Sequence, residues 1–220
     1  MDFIDVFRNR KSIRKFKSDP VPKNILEEII KNAIWVPNWG NTQPWEIHVV
    51  APDIVQKISE EFVSNMMSGI NLNPDLPMPN SWPDIQKNRY TETGRGLLKV
   101  LGLTREDKQG RLNYYINMFK FFGAPNLIYI CMDQEINPHY GPFDIGALSS
   151  AICMLAYDKG LGTCMLAASA HYPDTIRKHV NIQQNKKIVI GIAIGYPDSQ
   201  DPTFSYKSTR DEGVISWCGY

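Results

Sequence analysis

Six cationic side chains fall within the ten residues RNRKSIRKFK, Arg8 to Lys17, of a 220-residue chain whose formal net charge is only +1. Such a segment is equipped to take up an anion. Arg10 and Arg14 offer planar forks of N–H groups to phosphate or carboxylate oxygens, and Ser12 adds a neutral donor. Taken alone, a solvated charge run would read the same way. A second basic stretch, YKSTR, spans Tyr206 to Arg210 near the other end of the chain. Folded together, the two would converge cations from both ends on one phosphate. The third constellation is PNWGNTQPW, Pro37 to Trp45. The carboxamide of Asn41 can donate and accept at once, which suits a heterocycle edge carrying adjacent N–H and C=O groups. Asn and Gln in such a loop also serve their own backbone. Trp39 and Trp45 read as pocket wall or core, with Trp45, next to a strand, assigned to the core.

The rest of the chain narrows the choice of anion. Lys and Arg number 24 against 23 Asp and Glu, and a nucleic-acid module usually carries a basic excess over the whole domain, so no nucleic-acid partner is expected. The segment MDFIDVFRNR has acidic residues where a secretory signal needs basic ones, and no apolar run approaches a membrane span. The four cysteines (Cys131, Cys153, Cys164, Cys218) are widely spaced without C-x-x-C, which reads as buried reduced thiols and a cytoplasmic location. The four histidines show no metal spacing, so no metal site is expected. Walker-type and G-x-G-x-x-G phosphate signatures, the G-x-S-x-G elbow and H-E-x-x-H are all absent.

The elements that must position these residues follow from periodicity. Phe3, Ile4, Val6 and Phe7 recur at helical spacing over residues 2–10, with the cations at the end that the helix dipole favours. After a Pro-rich break, helix resumes around Asn24 with an apolar face of Ile25, Leu26, Ile29, Ile30, Ala33 and Ile34. EIHVV reads as a strand and residues 53–67 as a helix. Residues 68–84 carry four prolines and read as an irregular excursion or lid. Two helices are predicted at about 85–100 and 105–122, the second holding Tyr114, Tyr115, Phe119, Phe121 and Phe122. PNLIYICM reads as a strand, DIGALSSAICMLAYDKGLG as an apolar helix and TCMLAA as a short apolar segment. A helix is expected near 173–180, and KIVIGIAIGYP is the clearest central strand. The order gives an α+β or mixed α/β chain. Without repeats, linkers or composition breaks it reads as one domain over residues 1–220, with an excursion or insertion at about 68–122.

The stretch RKSIRKF…PVP…ILEEIIKNAIWVPNWGNTQPWEIHVV resembles the N-terminal signature of the FMN-dependent nitroreductase family. The likeness continues through FFGAPNLIYI, DIGALSSAICMLAYDKGLGTC and IGIAIGYPD to the basic segment at Arg210, so it covers nearly the whole chain in order. The segment RYTETGRGLLKVLGLTREDKQGR is similar to members with a long insertion before the central strand. The resemblance implies an α+β three-layer fold, a central mixed sheet flanked by helices, in an intertwined homodimer whose two FMN clefts are built from both subunits. It places Arg10, Ser12 and Arg210, with Lys11 or Lys207, at the phosphate and ribityl region, and Arg14 nearer the flavin N1/C2=O edge. Asn41 would meet the pyrimidine edge with Gln43 close by, and the backbone around Ala167, Ala168 and Ser169 would approach N5. Arg8, Lys15 and Lys17 are left as solvated or interface residues. Two departures stand out: Asn38 where the family usually has Ser, and MLAAS where a Gly-containing stretch is usual.

By that resemblance the activity is ping-pong electron transfer from NADH or NADPH through FMN to a small electron-poor aromatic such as a nitroarene. No side chain is nominated as acid or base, and Arg14 would stabilise the reduced flavin. Trp39, Tyr114, Tyr115 and Phe119 are candidate substrate-pocket walls, or equally core. The alternatives are enone or quinone reduction or reductive dehalogenation on the same scaffold, or a flavin-binding protein without turnover.

Overall fold

The run NLIYICMD forms β2 (Asn126–Asp133), buried at every position but the last. A strand hidden on both faces needs an apolar layer on each side, and the side-chain period of two sorts its residues between them. Leu127, Tyr129 and Cys131 enter one hydrophobic cluster, while Ile128, Ile130 and Met132 enter the other. The computed structural model describes residues 2–220. Its four strands are β1 (Glu46–Val50), β2, β3 (Gly162–Leu166) and β4 (Lys186–Gly195), in the sheet order β1-β2-β4-β3. Between Ile130 and Cys131 the β2–β4 register shifts, so that Ile130 faces Ile190 and Cys131 faces Ile188. The extra residue turns Ile188 to the face that holds Ala193, while Ile192 and Ile194 occupy the opposite one.

All three strand pairings are antiparallel, which corrects the expectation of a mixed sheet for the named strands. The reason is connectivity. α6 (Tyr140–Asp158) carries the chain from β2 over to β3, which run the same way, and β4 then inserts between them in the opposite direction. A parallel pairing occurs only as an isolated bridge, Ser12 to Thr163, among the described residues.

Helices cover both faces. On one, α2 (Lys23–Ala33) buries Leu26, Ile29 and Ala33 and packs on α6. α6 ends where Gly160 enters the left-handed region (φ 75°) and the Leu161 N–H closes back on Ala156 O at 2.9 Å. On the other face, α3 (Pro52–Met67) packs with α5 (Lys108–Phe119) and α7 (Pro173–His179), and its Phe62 meets the rings of Phe119, Phe121 and Tyr172. α5 stops at Phe119 rather than 122. Phe121 and Phe122 adopt φ of 53° and 57°, and this turn drives both rings into the core.

The prolines keep residues 70–83 free of helix and strand, yet the excursion is pinned. Asp75 accepts from Arg177 Nη2 at 2.7 Å and from Ile188 N at 2.8 Å, and Asn73 N donates to His171 O at 3.0 Å. It leads into α4 (Asp84–Val100), which buries only Leu97. The N-terminal α1 (Phe3–Asn9) is capped by Asp2, whose carboxylate accepts from Ile4 N at 2.9 Å. No helix among the described residues is long and apolar enough to cross a membrane.

Candidate cofactor site

After α1 the basic segment is sewn to the sheet through its main chain. Ile13 N donates to Thr163 O on β3 at 2.9 Å, and Lys17 N donates to Tyr196 O beyond β4 at 2.9 Å. Ile13 and Phe16 point inward and are buried. With these two side chains anchored below, Arg10, Lys11, Ser12 and Arg14 are left to line the outer side. Gly162 makes room for this seating, because a Cβ there would lie 2.6 Å from Ile13 Cγ1.

The result is a cleft of about 580 Å³ into which Arg8, Arg10, Lys11, Ser12 and Arg14 converge with Lys207 and Arg210 from the far end of the chain. No carboxylate lines it, and among the described residues none of these cations pairs with one. Lys11 Nζ donates to Phe204 O and lies 3.9 Å from the centre of the Phe204 ring. Burial, and then the positive charge of Lys207, push the Lys11 ammonium below its usual pKa. Arg14 Nη1 donates to Ser12 O at 3.1 Å, and its guanidinium lies 6.0 Å from the centre of the Tyr206 ring. Arg210 Nη1 donates to Ser208 Oγ at 2.9 Å and Thr209 O at 2.8 Å. Like charges gathered without counter-charges raise a potential that an anion relieves. A phosphate monoester fits this donor set.

Arg8, assigned to solvent or an interface from the sequence, lines the cleft, while Lys15 and Lys17 are exposed. Thr93 of α4 and Tyr206 also line it. Tyr206 stood inside the basic motif but drew no role there, and nothing in the sequence around Thr93 marks it.

Asn41 and Gln43 do not line this cleft. They occupy a turn in which Gly40, Asn41 and Gln43 all have positive φ, at 54°, 57° and 46°. Left-handed non-glycine residues persist only where the surroundings impose them. Here Asn38 Oδ1 accepts from Gln43 N at 2.9 Å, and the buried Asp144 of α6 accepts from Trp39 N at 3.1 Å. Asn38, the departure from the family pattern, thus holds the loop's shape. Trp39 lies against Tyr140, centroids 4.7 Å apart, in a separate cavity of about 500 Å³.

Ala167 and Ala168 open a 3-10 turn after β3, the first exposed and the second buried, and neither lines the basic cleft. The Ser169 hydroxyl is engaged with Leu166 O at 2.6 Å. Phe119 is buried against Phe62 and Tyr172, so it is a core residue. Tyr114 is half-buried beside Phe122, where burial raises the pKa of its hydroxyl against the opposing charge of Arg14, and Tyr115 is exposed.

Residues 7–196 match the Nitroreductase family. The chain belongs to that family. It is 27% identical over 214 residues to the 4-nitrobenzoate reductase of Nocardioides sp. (strain LMS-CY), covering 95% of this chain and 86% of the relative. It is 25% identical over 221 residues to the 4-nitrobenzoate reductase of Pseudomonas putida, covering 100% and 96%. Among solved structures, the FMN and NADPH-dependent nitroreductase NfnB from Sphigopyxis sp. strain HMH superposes with a TM-score of 0.94 at 26% identity, with both chains covered in full. The chain carries the α+β fold of that family, and its basic cleft brings residues 7–14 together with residues 206–210.

Proposed function

We propose that the protein is an FMN-dependent NAD(P)H oxidoreductase that reduces nitroaromatic compounds, with the basic cleft holding the FMN phosphate. The observation that carries this reading is the convergence of cations from both ends of the chain, without a carboxylate, in a nitroreductase-family fold. Arg10, Lys11, Ser12, Lys207 and Arg210 take the phosphate and ribityl end. Arg14 offers a fixed cation to negative charge that develops on reduction. FMN supplies the relay of electrons from the nicotinamide to the acceptor, and the protein binds, orients and tunes it. The relatives' activity favours nitroarenes over enone, quinone or dehalogenation chemistry as the reaction.

The whole chain acts as one FMN-binding domain and pairs with a second copy. α6 supports the dimer: Phe143 is 75% exposed, and Gly146, Ser150 and Met154 continue the same helical stripe, whose small residues permit close approach. Asn41 and Gln43, held in shape on their own chain but outside its cleft, serve the cleft of the partner. The Ala167–Ala168 backbone, outside the phosphate cleft, would be available to the flavin ring. The unpaired thiols Cys131, Cys153 and Cys164, all buried, and Cys218 suit a reducing cytoplasm.

The test is the visible spectrum of the purified protein under anaerobic conditions. A bound-flavin spectrum that bleaches with NADPH or NADH and returns with 4-nitrobenzoate is the expected result, and the two donors compared give the preference. A flavin that neither donor bleaches would indicate a binding protein without turnover. A protein that cannot be reconstituted with FMN would remove the cleft assignment.

A further inference from the structure

α4 is an exposed helix with few buried residues, yet it contributes Thr93 to the wall of the basic cleft. Something beyond core packing has to hold it there. It carries two glycines two residues apart, although each costs a helix about 1 kcal/mol relative to alanine. Their surroundings differ. A Cβ on Gly94 would meet nothing within 4 Å. A Cβ on Gly96 would lie 2.6 Å from Cε2 of Tyr206 and 3.1 Å from its hydroxyl. The Tyr206 ring therefore lies over the helix backbone at Gly96, where a methyl group would force the ring to shift.

The same ring is fixed from two other sides. Its hydroxyl donates to Thr93 O at 3.2 Å, and the Arg14 guanidinium faces it at 6.0 Å from the centroid. It cannot swing off Gly96 without giving up the Thr93 bond and shifting beside the cleft cation. An ion pair between Arg89 of α4 and Asp211 joins the same two segments, but it is solvent-exposed and contributes little. Tyr206 also precedes Lys207, so the ring that grips α4 sits in the segment that delivers the C-terminal cations.

We propose that Tyr206, seated on Gly96 and bonded to Thr93, is the latch that holds α4 against the cleft and sets how slowly FMN leaves. Tyr206 is a positioning residue here, and the inference rests on the reading of the cleft as the FMN site. Gly96 does not line the cleft, so substituting it removes no cleft-lining group and acts there only by displacing Tyr206 from its seat.

The experiment measures the rate of FMN release from the reconstituted protein by recovery of flavin fluorescence, alongside hydrogen exchange of the α4 amides. Gly96→Ala should release FMN about tenfold faster, the scale expected for forcing a methyl group into a closed contact. Tyr206→Ala should do the same, and it decides the matter if Gly96→Ala does not fold. Tyr206→Phe, which keeps the packing and loses the Thr93 bond, should retain FMN nearly as the wild type does, within about threefold. Gly94→Ala should leave release unchanged. Faster α4 exchange should accompany faster release. Release at the wild-type rate from Gly96→Ala or Tyr206→Ala overturns the latch while leaving the cleft reading intact. A wild-type protein that takes up no FMN overturns the cleft reading, and the latch with it.

Discussion

The basic cleft and the loop at residues 38–43 are both rich in polar donors, but the chain fixes them in opposite ways. In the cleft segment the backbone is occupied: Ile13 and Lys17 donate to Thr163 and Tyr196 carbonyls, and the side chains of Arg10, Lys11, Ser12 and Arg14 line the cleft. In the loop the side chains are occupied. Asn38 and Asp144 accept from backbone N–H groups and hold Gly40, Asn41 and Gln43 in the left-handed region. One region presents charge to its own chain's cleft. The other presents a preformed shape that its own cleft does not use. That difference is why we propose a site divided between two copies, with the phosphate end held by one and the ring end met by the other.

The comparison breaks first at the cations. Arg10→Ala combined with Arg210→Ala should weaken FMN binding about a hundredfold or more, since a hydrogen bond to a charged group contributes roughly 1.5–3 kcal/mol. Riboflavin, which lacks the phosphate, should bind the variant and the wild type alike. Equal losses for both flavins would mean that the cations hold something other than the phosphate.

A smaller effect tests the division between copies. Arg10→Ala and Asn41→Ala chains should each be nearly inactive alone. Mixed in equal amounts under conditions that exchange subunits, they should recover about a quarter of wild-type activity, because each mixed dimer carries one intact site. No recovery would place Asn41 in the site of its own chain, or outside any site.

The smallest effect lies outside both regions. His171 is buried with neither ring nitrogen hydrogen-bonded among the described residues, and burial pushes its pKa below the ordinary 6.5. The unfolded chain then binds the proton more readily than the folded one. This contribution to stability is present at neutral pH and is lost as pH falls from about 6.5 toward the folded-state pKa. Between pH 7 and pH 5 the melting temperature of the wild type should therefore fall more than that of His171→Gln, by about 2 °C. Equal slopes would show that the imidazole finds a partner in solution.

Much of the fold was legible because its signals are local. The central strands read from their branched residues, α6 from its apolar run and Gly160, and the excursion from its prolines. The antiparallel sheet was not legible, because nothing in a strand's own sequence tells which neighbour will be inserted beside it. The early end of α5 was not legible either. Phe121 and Phe122 favour neither left-handed φ nor a helix stop, and only the core that receives their rings imposes the turn. The aromatic residues taken together as possible pocket walls were separated by the fold. Phe119 lies in the core, Trp39 lines another cavity and Tyr115 faces solvent.

The sequence by itself determined the donors: arginines and lysines at both ends in a neutral chain, and a carboxamide loop between them. These depend on residue type, and type is written in the sequence. Only the tertiary structure decided that both ends meet in one cleft, that Arg8 and Thr93 join it, and that Gly96 yields its space to Tyr206. Those are long-range contacts, set by how β3, β4 and α4 stack rather than by any neighbouring residue. Two glycines alike in sequence, Gly94 and Gly96, thus differ only in what the folded chain brings against them.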